Sequence, residues 1–157
     1  MLIALAPKQY NQNAIIFSDR VKNNILNNAY FYRLYYSNEH FTTNGLYIHF
    51  TLKKVKIEKY FNKMKCIFDK YKNTNIVAFL KKLEITILKC LPTHTNKIMV
   101  YQIEEQLNNH FIKIFSNTEC PTSKDIDILL KISGIWENNG EYGITFRFYV
   151  NRPSKNE

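Results

Sequence analysis

The stretch from residue 125 to residue 150 constrains the fold of this chain more than any other. Apolar and polar side chains alternate there on both sides of a turn signal at 138–140 (NNG). Alternation with a period of two is typical of a half-buried strand, and two such runs around a short turn predict a β-hairpin. The core-facing side chains of this hairpin are predicted to be Ile126, Ile128, Leu130, Ile132, Ile144, Phe146, Phe148 and Val150.

The same alternation selects a register for the hairpin. A three-residue loop at 138–140, with its glycine in the left-handed conformation, keeps both apolar rows on one face. A two-residue turn at 139–140 would place Ile132 opposite Arg147, unless Gly134 added a bulge. We therefore predict the three-residue loop.

This register has consequences for the outer face of the hairpin. Lys131 lies opposite Arg147, and Ser133 lies opposite Thr145. Like charges directly opposite each other are unfavourable, and a phosphate between them would remove that penalty. In the alternative interpretation both cations simply extend into solvent. Trp136 has the parity of the apolar row, which predicts a position on the core side rather than a base-stacking role.

Composition bounds the class of protein. The 157 residues, 45% of them apolar, predict one domain with a flexible tail at 151–157. A net charge of +9 favours an anionic partner such as nucleic acid, although the codon bias of an AT-rich genome would also supply lysines. Three scattered cysteines and four histidines without metal-ligand spacing predict neither a disulfide framework nor a metal site. Because no signal peptide or transmembrane segment is evident, a soluble intracellular protein is expected.

The remaining periodicities predict a mainly β fold of the α+β class. Strands are predicted at 15–17, 30–36, 46–58, 64–68 and 111–115, and helices at about 75–91 and at 98–109. The apolar parity changes at Lys53-Lys54, which predicts a β-bulge, and Thr74 or Asn75 is the predicted N-cap of the first helix. Three strands, a helix and a closing hairpin are the order expected of an OB-like (oligonucleotide/oligosaccharide-binding) closed or partly open antiparallel barrel.

The closing strands also carry a resemblance. Residues 130–137 (LKISGIWE), followed by 141–148 (EYGITFRF), resemble the last strands of small single-stranded-DNA-binding proteins of large double-stranded-DNA viruses and related mobile elements. The resemblance implies an OB-type fold and sequence-tolerant binding of single-stranded DNA in replication, recombination or packaging. It would place the protein in the host nucleus or cytoplasm. Many such proteins end in an acidic tail that recruits partners, whereas the tail at 151–157 is not acidic.

The candidate binding residues are cations and aromatics on the outward faces of predicted strands. Single-strand binders combine aromatic platforms with cations that follow the phosphates. At 30–36 the face that holds the cation is preferred, because the other face must supply core. The predicted nucleic-acid contacts are Phe31, Arg33, Tyr35, Tyr47, Lys53, Lys54, Lys56, Lys65, Lys131, Arg147 and Tyr149.

Catalysis finds little support in the sequence. Phosphate-binding loops, dinucleotide-binding glycine motifs and nucleophile elbows are absent, so we predict no enzyme activity and no cofactor. A metal-dependent nuclease would need Asp125 and Asp127 to bind Mg²⁺ together with Glu104 or Glu105. A structural or host-protein interaction module is the other alternative, and an edge strand at 30–36 would permit a homo-oligomer.

Overall fold

The computed structural model describes residues 3–91, 96–115 and 122–151. The two α-helices in this part of the chain are α1 (Thr74–Cys90) and α2 (Gln102–Asn108), and two short 3-10 helices, Pro7–Gln9 and Gln12–Ala14, precede the first strand. The strands are β1 (Ile15–Phe17), β2 (Val21–Lys22), β3 (Tyr30–Ser37), β4 (Thr42–Asn44), β5 (Leu46–Leu52), β6 (Val55–Tyr60), β7 (Lys63–Phe68), β8 (Ile98–Val100), β9 (Phe111–Ile114), β10 (Ile126–Glu137) and β11 (Glu141–Val150). The predicted α+β class, mainly β, is confirmed.

These strands form one mixed sheet. Its main order is β1-β3-β10-β11-β9-β7-β6, and β5 pairs with β10 beside β3. The pairings are antiparallel except that β8 and β9 both run parallel to β11. Because the order ends at β1 and at β6, the described sheet is not closed. Of the predicted closed or partly open antiparallel barrel, the closed form is therefore not observed, and the parallel pairs of β8 and β9 with β11 depart from a purely antiparallel one.

The long strand β10 organises the sheet. Its first half pairs with β5 and its second half pairs with β3, so β3 and β5 lie end to end along the same edge. The chain enters β5 from β4 at Gly45, which has a φ of +96° and donates its N–H to the carbonyl of Leu34 on β3 at 2.9 Å. Glycine adopts this conformation without the steric cost that a side chain would bring.

The strand predicted at 46–58 is broken rather than bulged. β5 ends at Leu52 and β6 begins at Val55, and between them Lys54 has a φ of +52°. The buried Asn73 holds this break, since its side chain accepts from the N–H of Lys53 at 2.8 Å and donates to the Lys53 carbonyl at 2.9 Å. The parity change was therefore correctly located, but it separates two strands with different partners, β10 and β7.

The hairpin register is partly as predicted. Lys131 lies opposite Arg147, which confirms the first part of the register. Beyond Ile132 the register shifts by one, so that Ser133 is an extra residue and Gly134, instead of Ser133, lies opposite Thr145. The predicted pairing of Ser133 with Thr145 is therefore wrong, because the alternative register with a bulge next to Gly134 is the one present.

Because of the bulge, the loop length and the position of Trp136 also differ from the predictions. The turn is the two-residue one at 139–140, and Asn138 closes it by accepting the N–H groups of Gly140 and Glu141 with its side chain. Gly140 does not have the positive φ that we expected. The shift moves Trp136 to the side opposite the fully buried Ile135, and its half-buried ring covers Gly143. The predicted core position of Trp136 is wrong for that reason.

The helices complete the core on the apolar side of the sheet. The predicted helix at 75–91 is confirmed as α1, which buries Leu80, Leu83, Ile87 and Leu88. Its N-cap is Asn73, one residue before the predicted positions. The helix predicted at 98–109 is shorter, because its first residues form β8. Within the described residues, neither helix is long and apolar enough to cross a membrane.

Candidate functional site

The side of the sheet that faces away from the core carries cations and aromatic rings on neighbouring strands. Its positions alternate with buried residues, such as Met64 and Cys66 on β7 and Ile112 and Ile114 on β9. We call this surface the basic-aromatic face. It consists of Tyr47, Lys63, Lys65, Phe111, Lys113, Phe115, Lys131, Arg147 and Tyr149.

Four of its cations follow one another across four adjacent strands. Lys65 on β7 lies directly opposite Lys113 on β9, and Arg147 on β11 lies directly opposite Lys131 on β10. The two pairs meet where β9 adjoins β11, because Lys113 and Arg147 line the same surface depression together with Phe115. The row therefore runs across the strands, at a spacing of about 4.8 Å from strand to strand.

In the part of the chain that the structure describes, none of these four cations forms an ion pair with a carboxylate, although Glu58 lies opposite Lys65 on the neighbouring strand. The ion pairs found there use Arg20, Lys54 and Lys97 instead. Within each pair, two positive charges lie directly opposite each other on neighbouring strands, which is unfavourable in the absence of an anion. The arrangement thus leaves positive charge concentrated on one surface.

Aromatic rings lie next to three of these four cations. The Lys65 Nζ atom lies 4.2 Å from the centroid of the Phe111 ring, and the Arg147 guanidinium carbon lies 4.6 Å from that of Phe115. On β10, the Lys131 Nζ atom is 5.9 Å from the ring centroid of Tyr47. A cation beside an aromatic face gains about 0.5–1 kcal/mol at an exposed site. The rings partly offset the mutual repulsion and leave the charges accessible.

A groove opens along one end of the face. It has a volume of about 720 Å³ and is lined by Glu58, Lys59, Tyr60, Lys65, Phe111 and Lys113. Lys113 also borders the smaller depression that contains Arg147, so the two concavities share a cation. Glu58 lies opposite Lys65 and is the one acidic residue that lines the groove.

The structure brings five of the predicted contact residues together on this face: Tyr47, Lys65, Lys131, Arg147 and Tyr149. Lys56 is exposed and has the same outward parity on the edge strand β6. Lys53 and Lys54 lie instead at the break between β5 and β6, where the Lys54 Nζ atom is 3.9 Å from a carboxylate oxygen of Asp69. The break therefore separates these two lysines from the row.

The predicted contacts on β3 extend the same side of the sheet. Phe31, Arg33 and Tyr35 share the outward face, and Leu34 is fully buried on the other face, as expected. Arg33 lies opposite Gly134, the next outward position of β10 beyond the bulge. Its Nη1 atom donates to the side-chain oxygen of Asn44 at 3.1 Å, so this cation has a polar partner within the fold.

Sequence reasoning missed the central cation and its two flanking rings. Phe111, Lys113 and Phe115 alternate with two isoleucines, as the hairpin residues do, and the strand itself was predicted. Its outward face was not considered as a binding surface, although the aromatic–cation–aromatic alternation was a readable signal. Lys63 at the start of β7 was missed as well.

The acidic residues considered for a nuclease have other contacts. Asp127 accepts a hydrogen bond from the Thr51 hydroxyl at 2.6 Å, and Asp125 accepts one from the N–H of Lys54 at 3.2 Å. Within residues 3–91, 96–115 and 122–151, no group of three His, Cys, Asp or Glu side chains is arranged to hold a metal ion. The face itself contains no nucleophile–base pair that would suggest chemistry.

Comparison with known proteins identified no matching family model, no matching curated protein and no matching solved structure.

Proposed function

We propose that the basic-aromatic face binds single-stranded nucleic acid. The observation that carries this proposal is the row Lys65, Lys113, Arg147 and Lys131. Three of its four charges lie next to aromatic rings, and none of the four forms an ion pair in the described part of the chain. Sequence-tolerant single-strand binders usually combine cations that follow the phosphate backbone with aromatic rings on which bases stack.

The geometry supports a strand that crosses the sheet. Three inter-strand steps of about 4.8 Å separate the first and last cations of the row, which is roughly 14 Å. That length corresponds to a few nucleotides of an extended single strand. Phosphate contacts would supply most of the affinity, and each stacked base would add about 1–3 kcal/mol.

An OB-type architecture belongs to the same proposal. β5 and β6 stand at opposite ends of the order β5-β10-β11-β9-β7-β6, yet only two residues separate them along the chain. This connection favours a sheet that curls towards a partly open barrel. One feature departs from the expected plan. If β5 and β6 are counted as the two halves of one bent first strand, α1 lies between the second and third barrel strands, β7 and β9, rather than after the third.

The resemblance of the closing strands favours DNA over RNA as the ligand. It also favours a role in viral or mobile-element DNA replication, recombination or packaging. Each of these roles requires affinity for single-stranded DNA.

A titration of a labelled single-stranded oligonucleotide, followed by fluorescence anisotropy across salt concentrations, tests the proposal. We expect affinity to fall steeply with salt and Lys131→Ala/Arg147→Ala to lower both the affinity and the salt slope. Lys82→Ala/Lys89→Ala removes the same charge from exposed positions of α1 and serves as the matched control. A flat salt response, or equal affinity for duplex, would contradict the proposal.

A second candidate is a protein-interaction module. Four apolar side chains near β1 and β2 are largely exposed: Ile16 at 52%, Val21 at 59%, Ile25 at 91% and Leu26 at 61%. Exposed apolar clusters of this kind are common at protein interfaces. Failure of the protein to bind any oligonucleotide at low salt would favour this candidate.

A further inference from the structure

The turn between β6 and β7 presents a phenylalanine to solvent. Tyr60 and Lys63 form the last pair of the two strands, so Phe61 and Asn62 make the turn. Phe61 is 95% exposed, more than any other large hydrophobic residue among those the structure describes. A ring in this position gains almost nothing from the folded core.

The backbone at Phe61 is also in an unfavourable conformation. Its φ of +50° lies in the left-handed region, where a bulky side chain is rare because its Cβ atom approaches the backbone. Glycine would take this position without that cost, and asparagine more readily than phenylalanine. An exposed ring at a strained position is a combination that favours a role outside the stability of the fold.

The surroundings of the turn are those of a nucleic-acid surface. Lys59 and Lys63 flank it, and the ring of Tyr60 meets that of Phe61 edge-on with centroids 6.5 Å apart. Tyr60 lines the groove that contains Lys65, and Lys63 lines the depression that contains Arg147. The turn formed by Phe61 and Asn62 therefore lies between the groove and the depression of the basic-aromatic face.

We propose that Phe61 stacks on an unpaired base of the strand bound to this face and thereby sets the preference for single strands over duplex. The inference rests on the proposed function. Phosphates are present in both forms of nucleic acid, so the cation row alone discriminates weakly between them. A projecting ring reaches a base only where that base is not already paired and stacked within a duplex.

Substitution of the ring separates this role from phosphate binding. We expect Phe61→Ala to weaken single-strand binding about ten-fold or more, with an unchanged salt slope and unchanged duplex affinity. Phe61→Trp should retain the affinity, because the larger ring still stacks. Ile25→Ala is the matched control, since Ile25 is 91% exposed on a different loop.

Phe61→Gly gives an independent readout. It should raise the melting temperature by relieving the strained φ, while it lowers single-strand affinity as alanine does. A melting temperature that falls would show that the fold itself holds the ring, and would overturn the inference.

Three further outcomes are decisive. If the wild-type protein binds with a steep salt slope and Phe61→Ala binds equally well, the inference is wrong and the proposed function stands. If the wild-type protein binds no oligonucleotide, the proposed function itself fails. If Phe61→Ala loses binding only to vesicles of anionic lipid, the turn is a membrane contact and the inference is overturned.

Discussion

Gly134 shows how much of this fold depends on one missing side chain. It lies opposite Arg33 on β3 and opposite Thr145 on β11, immediately after the bulged Ser133. A Cβ atom at this position would lie 2.1 Å from the carbonyl oxygen of Tyr32 and 2.6 Å from the Phe31 ring. The bulge, the close approach of β3 and the position of the Phe31 ring are therefore linked through this glycine.

Gly134→Ala should destabilise the protein by roughly 2–3 kcal/mol, because the obstructing atom at 2.1 Å belongs to the backbone and moves only with its strand. Gly140→Ala is the control, since nothing lies within 4 Å of a Cβ atom there. Urea unfolding of both variants measures the difference. Equal stability of the two variants would contradict the packing that we describe at β3.

At the scale of elements, short-range periodicity predicted most of what is observed. The hairpin, β3, β7, β9 and α1 were found because their apolar side chains repeat every two or every three to four residues. Such periods depend only on neighbours in the sequence. The pairing of Lys131 with Arg147 follows from the same rule, and so this half of the site was predictable.

The features that were missed depend on partners far away in the sequence. The bulge at Ser133 adjoins Gly134, where β3 packs so closely that no side chain fits. β3 precedes this position by about a hundred residues, so the local sequence does not show the contact. The parallel placement of β8 and β9 along β11 has no local signature either. Lys113 joined the site only through the neighbouring strands β7 and β11, which strand prediction alone does not supply.

The end of β10 carries a buried charge that ties several segments together. The Glu137 side chain is only 2% exposed, and it accepts a hydrogen bond from the Lys97 ammonium and lies 3.8 Å from the Arg20 guanidinium. Burial alone would raise the pKa of Glu137. The hydrogen bonds from Lys97 and Tyr32, together with the charges of Lys97 and Arg20, outweigh it and hold that pKa below its ordinary value.

This lowered pKa predicts the pH dependence of stability. The contribution of Glu137 is complete above the ordinary pKa of about 4.5 and is lost as the pH falls through the lower folded-state value. Glu137→Gln should cost about 2 kcal/mol at pH 7 and make the acid side of the stability profile shallower. Melting temperatures from pH 7 to pH 3 measure both effects, with the exposed Glu141→Gln as control. An unchanged profile would mean that Glu137 does not anchor these segments.

At the scale of the whole molecule, no single strand forms the basic-aromatic face. β7, β9, β11 and β10 each contribute one cation of the row, and these strands come from three separate stretches of the chain. Net charge alone would not concentrate these cations, because other lysines lie on α1 and in loops. If the face acts as one surface, its two like-charged pairs should contribute equally to the binding of one strand.

The salt dependence of binding tests whether the four cations act as one surface. Four phosphate contacts by single-stranded DNA correspond to a slope of about −2.8 in log K against log salt, at roughly −0.7 per contact. Either Lys65→Ala/Lys113→Ala or Lys131→Ala/Arg147→Ala should reduce the slope to about −1.4, and the quadruple variant should bring it close to zero. If one double variant retains the full slope while the other abolishes it, the strand does not cross the sheet and follows a single strand pair instead.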